Sequence, residues 1–124
     1  MEYSSAVARH FAAPRHVGVL APGPGTRVRG EAGSPEQGAW VVFEARIDAG
    51  RAVALAWQAW GCPHTIAACS LAAETLTGST VADLLAFDPL SLRAPLDVPA
   101  VKTGRLLIIQ DALHNCLAAW DNGG

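Results

Sequence analysis

Few of this chain's 124 residues carry charge: 16 % are Asp, Glu, Lys or Arg. Neither sign dominates, with nine Lys+Arg against eleven Asp+Glu. Residues 1–62 hold six bases and five acids, and residues 63–124 hold three and six. Neither half has the positive field that sequence-independent nucleic-acid binding needs, so no nucleic-acid partner is expected. No stretch reaches the roughly 20 apolar residues that span a bilayer, so no membrane partner is expected either. Met1 to Val19 holds no uninterrupted apolar core of signal-peptide length. Cysteine is scarce and odd in number, at Cys62, Cys69 and Cys116. That is no disulfide framework and fits a reducing compartment, which sets the expectation of a cytoplasmic protein. Pro22-Gly23-Pro24-Gly25 lacks the Gly-Lys-Ser/Thr ending of a phosphate loop and reads as a connector. There is no Gly-x-Ser-x-Gly elbow, and no carboxylates are paired for acid–base work.

What is present is apolar: 51 % of the residues are hydrophobic, enough for a core and against disorder. The length predicts one domain over residues 1–124. Residues 3–12 read as a helix ended by Ala13-Pro14, and residues 21–38 as loop with a short strand possible in TRVRGE. Residues 39–48 alternate, with Val41, Phe43, Ala45 and Ile47 on one face and Trp40, Glu44, Arg46 and Asp48 on the other. Residues 51–60 make a second strand, with Val53, Leu55, Trp57 and Ala59 on its inner face, joined by a hairpin through Gly50. A helix is expected over 63–77, with Pro63 in its first turn and Gly78 past its end. A short helix capped by Ser79 or Thr80 follows, then an irregular stretch from Pro89 to Pro99. A last helix runs from about Val101 to Trp120, with Leu106, Ile109, Leu113, Cys116, Leu117 and Trp120 as its buried stripe. Helix, antiparallel strands, then helices is an α+β order: a small antiparallel sheet of about three strands with helices on one face and solvent on the other.

Cys62 is the most informative residue. It lies between a strand ending at Trp60-Gly61 and a helix opening at Pro63. Unpaired N–H groups and the partial positive charge of a helix start favour a thiolate there. The competing reading is an inert cysteine in a turn. Cys62 and Cys69 are about 10 Å apart along a helix axis, too far for a disulfide or a shared metal ion. Cys69 and Cys116 read as small core residues. His64 follows Cys62 by two, and no second pair stands at zinc-ligand spacing. His10, His16 and His114 read as packing or surface residues, as do the four tryptophans.

Three segments together resemble the U-type iron–sulfur cluster assembly scaffolds, the IscU/NifU N-terminal family. They are YSSAVARHFAAPRHVG at the start, AWGCPHTIAACSLAAETLTGST around Cys62, and VPAVKTGRLLIIQDAL near the end. The resemblance runs from Tyr3 to Trp120. It implies a scaffold, not an enzyme, that builds a [2Fe–2S] cluster. A cysteine desulfurase gives the sulfur, and an Hsp70-type chaperone helps deliver the cluster. The family's site uses three cysteines, an aspartate and a histidine. In this chain the first cysteine place falls on Gln37 and the aspartate place on Ala39. The histidine and third cysteine places fall on Gly104 and Arg105, so only Cys62 remains. One cysteine does not fill the four-ligand shell of such a cluster. The resemblance therefore implies a divergent member in which Cys62 accepts or presents sulfur, with Arg105 expected beside it and His64 in support. It also implies chaperone recognition through Val98, Pro99, Ala100, Val101 and Lys102. Two other readings stay open: a non-catalytic adaptor of the desulfurase, and a homodimer holding a cluster between two copies of Cys62. A thiol enzyme using His64 as base is disfavoured, because residues two apart at a helix start point in different directions.

Overall fold

The computed structural model describes residues 3–120. Its element order is α1 (Ser5–Ala12), β1 (Thr26–Ser34), β2 (Ala39–Asp48), β3 (Arg51–Gly61), α2 (Pro63–Leu76), α3 (Val81–Ala86), α4 (Arg93–Leu96) and α5 (Thr103–Ala118). Single 3-10 turns occupy Pro35–Gln37, Pro89–Leu92 and Ala100–Lys102. The strands form one antiparallel sheet in the order β1-β2-β3. The fold is the α+β arrangement that the sequence predicts, with α2 and α5 pressed on one face of the sheet.

Several expectations need adjustment. The stretch read as loop over 21–38 contains all of β1. The segment from Pro89 to Pro99 is not irregular: Asp88 accepts the Leu90 N–H at 3.0 Å and starts a 3-10 turn that runs into α4. These pieces are too short to leave a periodic signal. The last helix begins at Thr103, after a 3-10 turn. On β3 the expected inner face fails at its first residue. Arg46 pairs with Ala54 but Ile47 pairs with Ala52, so Val53 is the extra residue of a bulge. The bulge reverses the alternation: Ala52 is sealed and Val53 is 39 % exposed.

The outer face of the sheet is not simply solvated either. Glu44 is 4 % exposed and accepts the Arg27 Nε–H at 2.8 Å. Arg46, on the same face, donates to the Pro24 carbonyl at 3.1 Å, which ties the Pro–Gly connector across the sheet. The open edge of β3 is closed at two places. Trp57 donates its N–H to His16 O (3.2 Å) and its indole N–H to Arg15 O (2.7 Å), while its carbonyl accepts from Gly18 (2.8 Å). Farther along, Ala52 exchanges hydrogen bonds with Gly78 and Ser79. Capping the edge this way removes a template for pairing with another chain.

Two contacts set how closely the helices approach. α2 is rich in alanine and buries Ala67, Ala68, Ala72 and Ala73, so it fits between α1 and β3. α5 crosses β1 at Gly30, where an added Cβ would lie 2.0 Å from the Cys116 backbone nitrogen. Asn115 Nδ2 donates to Glu31 O at 2.8 Å beside that crossing. Gly30→Ala should therefore force α5 off the sheet and cost about 1–3 kcal/mol or more. Thermal unfolding of the variant should show a clearly lower midpoint.

α1 is docked through Ser70. Its hydroxyl lies 2.7 Å from His10 Nδ1 and accepts the Arg15 N–H at 2.8 Å. Burial lowers the His10 pKa; Glu74 opposes that shift, while Arg9 and Arg15 add to it. His10 thus takes up a proton less readily in the folded chain than in the unfolded chain, where it does so near pH 6.5. Stability should be full above that pH and fall as pH drops below it. His10→Gln should flatten this limb in denaturant titrations across pH 7 to 5.

Candidate functional site: the corner around Cys62

Cys62 is the N-cap residue of α2, with extended backbone (φ −75°, ψ 170°) and Pro63 in the first turn behind it. The junction is tight. A Cβ at Gly61 would lie 2.9 Å from the Thr65 side chain, so glycine there lets Thr65 pack under the strand end. Thr65 is fully buried, and its Oγ1 sits 3.8 Å from Cys62 Sγ. Burial pushes the Cys62 thiol up, but four favourable contributions outweigh it. They are the backbone N–H and hydroxyl of Thr65, the backbone N–H of His64, and the Lys102 ammonium. The net effect holds the thiol below its ordinary value. The other two thiols go the opposite way. Burial alone drives Cys69 far up, and burial with the Glu44 charge pushes Cys116 up to about 12. Both are sealed core residues, as their spacing suggested.

The positions that the family resemblance singled out converge on this corner from three elements. Ala39 opens β2 and pairs with Gly61, the residue before Cys62. Gln37 ends the 3-10 turn just before; its N–H and Oε1 both engage the Ser34 hydroxyl at 3.3 Å, and it is exposed. Gly38, at φ +86°, packs against the Arg105 guanidinium, where a Cβ would lie 2.6 Å from the nearer terminal nitrogen. Gly104 is exposed, with open space about it. His64 is 2 % exposed and meets the Tyr3 ring edge-on at 4.9 Å. Burial lowers its pKa, Lys102 and Arg105 lower it further, and Asp97 pulls back. It is a neutral imidazole at pH 7.

The cation acting on the Cys62 thiol is Lys102, whereas Arg105 lies over Gly38 and acts on His64. Lys102 entered the sequence reading only as the end of VPAVK, because its proximity to Cys62 depends on how the turn before α5 folds. That segment is not extended. Val98 is buried and donates its N–H to Arg93 O at 3.0 Å, Ala100–Lys102 is a 3-10 turn, and Val101 is 81 % exposed. The sequence reading missed Thr65, although its place three residues on from Cys62, in the first turn of α2, was a usable signal.

The side chains present do not fit an iron–sulfur cluster in one chain. Cys62 is the only strong iron ligand among the family's places, and the corner carries two cations where anionic ligands are needed. No group of three or more His, Cys, Asp or Glu able to hold a metal ion occurs among the described residues.

Residues 2–123 match the model of the NifU-like N-terminal domain. The chain belongs to that family. Its relatives include the iron–sulfur cluster assembly scaffold protein IscU of Haemophilus influenzae, 27 % identical over 119 residues, covering 95 % of this chain and 94 % of that one. The iron–sulfur cluster assembly enzyme IscU of Drosophila melanogaster is 28 % identical over 117 residues, covering 94 % and 76 %. Among solved structures, a putative iron–sulfur cluster assembly scaffold protein for the SUF system from Fervidobacterium islandicum aligns with a TM-score of 0.72 at 16 % identity, over 93 % of this chain and 96 % of that one. A NifU-like N-terminal protein from Brucella abortus aligns with a TM-score of 0.71 at 17 % identity, over 93 % and 91 %. The chain is thus a member of the iron–sulfur cluster assembly scaffold family. No helix among the described residues is long and apolar enough to cross a membrane.

The thiol geometry predicts selective chemistry. Iodoacetamide should modify Cys62 alone in the folded protein, with its half-maximal rate at a lower pH than a free cysteine shows. Thr65→Val should move that midpoint up further than Lys102→Met, since Thr65 supplies the larger contributions. Peptide mapping after alkylation across a pH series reads both.

Proposed function

We propose that this chain is a sulfur-relay member of the scaffold family, working through Cys62 rather than holding a cluster within one chain. What supports the reading is the lone half-buried cysteine at the head of α2, its sulfur beside the Thr65 hydroxyl, while the resemblance sets the other ligand places on Gln37, Ala39, Gly104 and Arg105. The Cys62 thiolate attacks the outer sulfur of a persulfide on a cysteine desulfurase. The donor's S–S bond breaks, a new S–S bond forms on Cys62 with the terminal proton carried over, and the donor cysteine leaves as thiolate. Helix dipole and Lys102 stabilise the attacking anion without supplying a ligand to iron. The exposed Val101 turn is the surface offered to an Hsp70-type chaperone, which would have to unwind one 3-10 turn to hold the segment extended.

Intact-mass analysis after incubation with a desulfurase and cysteine tests the relay. The expected result is one added sulfur atom, removable by dithiothreitol and absent in Cys62→Ser. No added sulfur overturns the relay. If Cys62→Ser still captures the desulfurase at wild-type strength in that case, the chain is an adaptor. Visible absorbance after anaerobic reconstitution with iron and sulfide would replace the relay with a cluster held between two chains.

A further inference from the structure

Loading Cys62 leaves open how the sulfur departs, and the packing around Sγ bears on that step. A thiolate attacking a persulfide can strike either sulfur, in line with the S–S bond that breaks. Attack on the inner sulfur leaves a mixed disulfide on the carrier and releases hydrosulfide. Attack on the outer sulfur passes a whole persulfide to the attacker and frees the carrier cysteine.

At Cys62 the two paths differ in access. One side of Sγ is filled: the Thr65 hydroxyl lies 3.8 Å away on a fully buried side chain. The backbone N–H groups of His64 and Thr65 engage the same sulfur. Thr65 is wedged against Gly61, where a Cβ would lie 2.9 Å from it, so it has little room to swing aside. Cys62 itself is half-buried, so its remaining side is open. A second sulfur on Cys62 has room only on that open side. In-line attack on Sγ would then come from the opposite side, through Thr65 and the first turn of α2. In-line attack on the outer sulfur comes from solvent. It also expels the Cys62 thiolate into the contacts that favour it, and a stabilised thiolate leaves faster. The attacker is not one of this chain's own thiols, since Cys69 and Cys116 are sealed in the core.

We infer, resting on the relay reading, that Cys62 hands its sulfur on intact, to an external thiolate that attacks the outer sulfur. The Cys62 S–S bond breaks and a new S–S bond forms on the acceptor. The terminal proton travels with the outer sulfur, and Cys62 leaves as thiolate. No oxidant or reductant is consumed, no hydrosulfide is released, and Cys62 is ready to be loaded again. The reaction that consumes the product is therefore of the class that takes up sulfane sulfur on a thiol, not one that needs free sulfide.

Chemical loading separates outer-sulfur transfer from the relay reading. Inorganic polysulfide places a sulfur on Cys62 of the full chain without a desulfurase, and desalting removes the excess. One equivalent of glutathione is then added, and the mixture is quenched with iodoacetamide and weighed by mass spectrometry. Alkylated glutathione persulfide and Cys62 without extra sulfur should greatly exceed the mixed disulfide. Thr65→Ala opens the filled side and should raise the mixed-disulfide share several-fold; if that variant unfolds, the wild-type partition alone decides. A Cys62–glutathione mixed disulfide as the main product, with hydrosulfide released, overturns outer-sulfur transfer and leaves the relay standing. Loading by polysulfide but not by a desulfurase ends the relay alone. A Cys62 that polysulfide does not load, or that glutathione does not discharge, overturns the inference.

Discussion

The site rests on one close contact at the end of β3. Thr65 occupies the space that a side chain at residue 61 would fill, so the strand turns directly into α2 with no intervening loop. That brings the first turn of a long helix onto the sheet edge and aims its free N–H groups at residue 62. Were the strand end bulkier, Thr65 would be displaced, and the largest stabilising influences on the Cys62 thiolate would leave with it. The buried Thr65 thus serves two ends: it packs the junction, and its N–H and hydroxyl favour the anion. Here a packing constraint and a chemical property are one and the same.

Around that junction the family fold is retained. A cluster scaffold needs anionic or neutral soft donors converging on a point. Here the three converging elements bring an amide, a methyl group, a glycine and a guanidinium. The backbone brings them together: Ala39 pairs with Gly61, and the Arg105 guanidinium of α5 packs on Gly38. The core that supports the fold draws on other contacts as well: Gly30 under α5, the alanines of α2 and the Trp57 clasp on the N-terminal segment.

Much of this was legible in the sequence. The alternation of residues 39–48 and the helix over 63–77 stand out because apolar residues repeat with one period over ten or more positions. The same rule misplaced Val53, because a bulge adds one residue and shifts everything before it by half a period. It also put Glu44 on a solvated face. A polar alternation cannot announce that the 19–25 connector will fold back and that Arg27 will neutralise the carboxylate. At the site, Cys62 was visible from its place between strand and helix. The influence of Lys102 on it was not, because that residue's place depends on a 3-10 turn with no sequence signature of its own.

The burial of Cys69 and Cys116 bears on what Cys62 can do. A persulfide carried on a cysteine is discharged within a chain when a second thiolate attacks the carrier sulfur: the carrier S–S bond breaks, a disulfide closes and hydrosulfide leaves. Here the neighbouring thiols are held protonated in the core, with Cys69 fully enclosed, so neither can attack. On the relay reading, sulfur loaded on Cys62 would have no intramolecular exit through these thiols. It would leave to an external thiol or reductant that reaches the corner, which is the behaviour a carrier needs and a redox switch would lack. A cluster scaffold faces the opposite demand, for several ionised thiolates close together. Sealing two thiols in the core and leaving one at the head of α2 separates those two uses of the same fold.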